Sequence, residues 1–109
     1  MNISTAFSAG RLTIFLRGEL DQHEARRTSD CIVELLDEYL PKDCVLDLSG
    51  LSFMDSSGIA VLVRAGRQMR VIGGRVWVEN PGKQVKRVIE ASGLARIMSV
   101  DTDRVGGLT

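Results

Sequence analysis

The run Cys44-Val45-Leu46-Asp47-Leu48 restricts the fold of this 109-residue chain more than any other segment. It is almost wholly apolar, which suits a strand covered by other structure, as the central strands of parallel sheets are. Amphipathic helical patterns lie on both sides of it. Upstream, Ala25, Ile32, Leu35, Leu36 and Tyr39 share one helical face. Downstream, Ile59, Leu62, Val63, Gly66 and Met69 recur at three- and four-residue spacing. A covered strand between two such helices implies βαβ units and a mostly parallel sheet with right-handed crossovers.

The remaining signals extend this alternation. Leu12 to Arg17 alternates at period two and reads as a strand ended by Gly18, with a shorter strand over Ile3 to Phe7. Asp21 stands three residues before Glu24, the capping-box spacing with Asp as the cap, and Pro41 bounds the helix that follows. Gly73-Gly74 stops the second helix. Arg75 to Glu79 is the next strand. Asn80 then supplies a cap, with Pro81 at the first helical position. Val85, Val88 and Ile89 form the inner face of a third helix that Gly93 ends, and Ile97 to Val100 is a last short strand. The expectation is one α/β domain over residues 1–109: a mostly parallel sheet of four to five strands, an antiparallel N-terminal edge and three main helices. Strand order does not follow from pattern.

Composition narrows the function classes. Apolar residues make up 44% and charged residues 26%, as in ordinary globular domains. No apolar stretch approaches the ~18 residues of a membrane-spanning helix. Met1 to Thr5 lacks the basic and apolar regions of a signal peptide. Cys31 and Cys44 stand apart and read as reduced thiols, so a cytoplasmic location is expected. Net charge is zero, but residues 1–55 carry ten acids and five bases while residues 56–109 carry four acids and nine bases. Such a dipolar surface steers a partner of mixed charge; nucleic-acid binding needs a clearer excess of Lys and Arg.

The functional signal is Phe53-Met54-Asp55-Ser56-Ser57-Gly58, which joins the covered strand to the second helix. It sets small hydroxyls at a helix N-terminus, where free N–H groups and the helix dipole favour an anion. A hydroxyl there can act as a cap, a nucleophile or an acceptor of modification. Ser56 reads as the N-cap. A nucleophile elbow needs glycine two residues before the serine, and Met54 and Asp55 occupy those positions. The one histidine, His23, belongs to a different helix. No phosphate-binding glycine motif follows a strand, and Asp21, Asp47 and Asp55 lie on separate elements without metal-ligand spacing. Arg64, Arg67 and Arg70 read as a solvated face, and Met54 as either core or rim of the corner. The chain thus reads as a binding module on which chemistry is done, not as an enzyme.

Gly18-Glu19-Leu20-Asp21, the run Val45 to Gly58, Val85-Lys86-Arg87 and Ser92-Gly93-Leu94 together resemble the anti-sigma factor antagonists of the STAS superfamily. The similarity covers roughly residues 8–100 and is greatest to the sporulation type. The resemblance implies that the unphosphorylated protein binds an anti-sigma factor that is also a serine kinase, releasing the sigma factor. It implies phosphorylation at Ser57, reversal by a serine phosphatase, and partner contact through Asp21, Met54, Asp55, Ser56, Ser57 and Gly58. It implies no cofactor for this chain, ATP belonging to the kinase, and no direct contact with nucleic acid or membrane. The alternative is a constitutive scaffold module of the same fold. Family members finish with another helix, whereas residues 101–109 are short, contain Gly106-Gly107 and suggest about one turn at most.

Overall fold

The computed structural model describes residues 1–101, and the expectation of at most one terminal turn lies beyond them, in residues 102–109. The elements are β1 (Asn2–Ser8), β2 (Arg11–Leu20), α1 (Gln22–Tyr39), β3 (Asp43–Met54), α2 (Ser56–Ile72), β4 (Arg75–Glu79), α3 (Lys83–Ser92), a 3-10 turn (Leu94–Arg96) and β5 (Ser99–Asp101). The strands form one sheet in the order β1-β2-β3-β4-β5. β1 is antiparallel to β2 and the other neighbours are parallel, as the sequence pattern implied. When successive parallel strands are also spatial neighbours, crossovers of one hand place their helices on one face. The core follows from this. Leu12, Ile14 and Leu16 of β2, Cys44, Leu46 and Leu48 of β3 and Val78 of β4 bury against Ile32, Leu36, Leu62, Met69, Val85 and Ile89 of the helices.

Two strands are longer than their patterns suggested. β2 passes through Gly18, which the sequence marked as a stop, and reaches Leu20. Gly18 adopts φ +118, open to glycine and strained for other residues, so the chain bends there without leaving the sheet. β3 continues past Leu48 to Met54. Its pairing with β2 shifts between Phe15 and Arg17, and again between Gly18 and Glu19, with one extra residue on β3 at each shift. These bulges break the two-residue alternation, so the strand pattern ends at Leu48 in the sequence although Gly50, Leu51, Phe53 and Met54 still pair with β2.

Helix ends follow local chemistry, with two departures. The Asp21 carboxylate caps α1, accepting from the N–H of His23 at 2.9 Å and of Glu24 at 3.2 Å. Gly73, at φ +90, ends α2 with its N–H shared between Met69 and Arg70 carbonyls. The cap of α3 is Gly82, not Asn80, and Pro81 precedes the helix instead of opening it. Asn80 is held at φ +56, and its side chain donates to the buried Asp47 carboxylate instead of capping. The last strand starts at Ser99, because the N–H groups of Ile97 and Met98 still donate to the Leu94 carbonyl and so close the 3-10 turn.

The opposite sheet face carries a charged cluster. Asp43 accepts from Arg75 at 2.9 and 3.1 Å and from Arg11 at 3.1 Å, and both guanidinium groups stand over the Trp77 ring, 4.9 and 5.9 Å from its centroid. Both cysteines are free thiols, and burial pushes Cys44 up to about 12. The Arg75 hydrogen bonds hold the Asp43 carboxyl below its ordinary value, outweighing burial, and Arg11 adds to the effect. A folded-state value below the unfolded one gives stability that is present above the ordinary carboxylate range and lost as pH falls through the folded value. Asp43→Asn is therefore expected to lower stability at neutral pH and to flatten its decline in acid. Urea unfolding of both proteins across the acid range tests this, and parallel curves would contradict it.

Candidate functional site

The parallel pairing of β2 with β3 builds the site. The register sets Leu20 opposite Met54, so the next residues, Asp21 and Asp55, leave the carboxyl ends of neighbouring strands together. Adjacent strands lie about 4.8 Å apart, which puts two helix N-termini and two capping carboxylates side by side. The Asp55 N–H donates to the Leu20 carbonyl at 3.3 Å and ties the two exits. The carboxyl ends of parallel strands are also where α/β folds commonly place their ligand sites.

The N-cap of α2 is Asp55, correcting the sequence expectation of Ser56. Its carboxylate accepts from the Ser57 N–H at 2.8 Å, and its carbonyl accepts from the Gly58 N–H at 3.0 Å. An aspartate caps as well as a serine and adds a charge favourable to the helix dipole. Ser56 is then the first helical residue and is exposed; Ser57 is the second and is half-buried. Both hydroxyls are thus free of the capping task.

Gly58 is buried, and packing makes it glycine. A Cβ there would stand 2.2 Å from Met54 Cγ and 2.7 Å from its Sδ, with Leu20 at 3.2 Å. The first turn of α2 descends onto Met54 with no side chain between. Met54 itself is 0% exposed, which decides between the two places expected for it, core and rim, in favour of the core beneath the corner. Met54 thereby sets the level at which the first turn of α2, with Ser57, lies over the sheet end. The exposed apolar neighbour is instead Phe53, at 39%. Strand alternation back from an inward Met54 identifies Phe53 as outward, provided that β3 is known to run this far.

Gln84, in the first turn of α3, carries no signal in the sequence pattern. Its side-chain amide donates to the Met54 carbonyl at 2.8 Å and accepts from the Met54 N–H at 2.9 Å. Beside it a groove of about 550 Å³ opens between α2 and α3, lined by Ser56, Ile59, Gln84, Arg87, Val88 and Ala91. Arg64, expected on a solvated face, donates to Asp30 at 2.7 Å and to Ser29 at 3.2 Å, and so joins α2 to α1. His23 is exposed and makes no hydrogen bond with Ser57. Among the described residues no group of three or more His, Cys, Asp and Glu is placed to hold a metal ion. No described helix is long and apolar enough to cross a membrane.

A five-stranded sheet with this connectivity and a capped serine corner at its carboxyl edge defines a STAS domain, and the STAS family model matches residues 2–105. The chain belongs to that family. It is 34% identical over 113 aligned residues to the anti-sigma F factor antagonist of Paenibacillus polymyxa, covering 100% of this chain and 93% of the relative. Among solved structures it is similar to the anti-sigma factor antagonist SpoIIAA in its unphosphorylated form, with a TM-score of 0.76, 27% identity, and coverage of 94% of this chain and 90% of that one. The phosphorylated form of Bacillus SpoIIAA gives a TM-score of 0.68 at 26% identity, covering 94% and 93%.

The Met54–Gly58 contact has a measurable signature. Gly58→Ala is expected to cost about 1–3 kcal/mol through overpacking. Met54→Ala should cost about 2–5 kcal/mol through the cavity it leaves. The double variant should be less destabilised than their sum, because the new methyl enters the vacated space. Chemical denaturation of all four proteins measures the coupling, and strict additivity would contradict the packing.

Proposed function

We propose that this protein is an anti-sigma factor antagonist. In its unphosphorylated form it binds an anti-sigma factor that is also a serine kinase, and phosphorylation of Ser57 ends that binding. The observation that carries the reading is the presentation of Ser57 on the edge formed by Asp21 and Asp55, with capping assigned to Asp55 and the serine hydroxyl left over. The similarity to antagonists supports the binding role, and a relative known in phosphorylated and unphosphorylated forms supports the modification. ATP belongs to the kinase and this chain carries no cofactor of its own. A serine phosphatase restores the hydroxyl, and the whole cycle runs in the cytoplasm.

The switch acts through charge at an interface. Phosphorylation adds about −1.5 to −2 charges and three strong acceptor oxygens. Within this chain the N-terminus of α2 offsets part of that, by ~0.3–1 kcal/mol. Across an interface, the phosphate is repelled by the neighbouring Asp55 and Asp21 carboxylates when water is excluded, and like charges there cost several kcal/mol. Water screens this repulsion in the free chain, and it outweighs the helix contribution only when the complex excludes water, so the partner is lost while the fold is kept. Asp21, Asp55, Ser56 and Ser57 form the centre of the contact, with exposed Phe53 as an apolar anchor beside them.

Incubation with ATP and the anti-sigma kinase is expected to add one phosphate to the wild type at Ser57 and none to Ser57→Ala, as read by mass spectrometry. Ser57→Asp should bind the partner at least about tenfold more weakly, or 1.4 kcal/mol, with an unaltered circular dichroism spectrum. Absence of phosphate on the wild type, together with undiminished binding by Ser57→Asp, would favour a constitutive scaffold module.

A further inference from the structure

We propose that Gln84 is a positioning residue for phosphoryl transfer to Ser57. The inference rests on the assignment of Ser57 as the acceptor and adds how the acceptor is held. The β3–β4 ladder ends at Asp47 opposite Glu79, while β3 runs on to Met54. Beyond that point β3 has, among the described strands, a neighbour on its β2 side alone, so its other edge presents backbone groups that no described strand receives. At Met54, the last residue of β3, Gln84 receives them. Its Oε1 accepts from the Met54 N–H at 2.9 Å and its Nε2 donates to the Met54 carbonyl at 2.8 Å. A glutamine amide has the donor and acceptor of a peptide group, and here it stands in for the missing strand.

The consequence reaches the serine through one peptide plane. The carbonyl of the Met54–Asp55 peptide is held by Gln84 of α3, and its N–H by the Leu20 carbonyl of β2. With both ends fixed, that plane sets the direction in which Asp55 leaves the strand. The Asp55 carboxylate in turn holds the Ser57 N–H. A chain of hydrogen bonds thus joins the first turn of α3 to the acceptor residue. Gln84 also lines the groove that begins at Ser56. In the transfer, Ser57 Oγ bonds the γ-phosphorus of the kinase's ATP. The bond from that phosphorus to the bridging oxygen breaks, its electron pair leaves on ADP, and the hydroxyl proton passes to a base of the kinase. In-line attack tolerates little misplacement: a shift of about 1 Å costs on the order of 100-fold in rate. A corner released on one side loses rate before it loses fold.

The test compares Gln84→Ala with Val85→Ala, which damages the core packing of the same helix turn but leaves the Gln84–Met54 hydrogen bonds in place. Gln84→Ala is expected to lower kcat for Ser57 phosphorylation about tenfold, with KM little changed, and to speed amide exchange at Met54 and Ser57. Val85→Ala is expected to lower the melting temperature at least as far and to leave kcat near wild type. Gln84→Glu keeps the acceptor and loses the donor when ionised, so its kcat should also fall. Wild-type kcat in Gln84→Ala, or an equal fall in Val85→Ala, would overturn the positioning role while leaving Ser57 as acceptor. A wild type that takes no phosphate would overturn the acceptor assignment and the positioning role together, a result distinct from the other two.

Discussion

The parallel register of β2 against β3 is the constraint on which the rest of this structure depends. Because Leu20 faces Met54, two strands end level and two helices start level, each capped by an aspartate. A slip of one residue would turn the inward side chains of one strand to the other face, so burial of Leu16, Leu20 and Met54 locks the register as firmly as the backbone bonds do. The two bulges in β3 belong to the same constraint. They let β3 carry its extra residues and still bring Met54 level with Leu20.

Core packing then determines how the serine is shown. Met54 fills the space under α2, and glycine at position 58 lets the helix settle onto it. The half-buried Ser57 and exposed Ser56 thus lie over a buried thioether. The same strand end is held laterally by Gln84 and by the Leu20 carbonyl, so the corner is supported from beneath and from both sides. Under the proposed function, in which Ser57 exchanges its hydroxyl for a phosphate, such support would let the added charge act on the partner without being absorbed by local rearrangement.

Much of the fold was legible in the chain itself, since each helix and strand carries its own period. The inner faces of α1, α2 and α3, the Asp21 cap, the Gly73 stop and the antiparallel N-terminal edge all rest on local chemistry, and local chemistry is written in neighbouring residues. The errors share one cause. Gly18 as a strand end, Ser56 as a cap and Asn80 as a cap are each reasonable for an isolated segment, and Met54 reads equally as core or rim. In the folded chain Gly18 is kept in the sheet by pairing, Asp55 reaches the cap position first, Asn80 is taken by the buried Asp47 carboxylate, and Met54 is covered by α2.

The sequence alone determined the alternation of elements, the helix boundaries set by Asp21, Gly73 and Gly93, and the identity of the serine corner. These depend on residues within one or two turns of each other. Tertiary structure alone decided that Asp21 stands beside Asp55, that Gly58 must lack a side chain because of Met54, and that Gln84 completes the edge of β3. Those contacts are selected by burial and strand register, which bring separate elements together. Neither quantity is a property of any short segment, which is why the corner could be found in the sequence and its support could not.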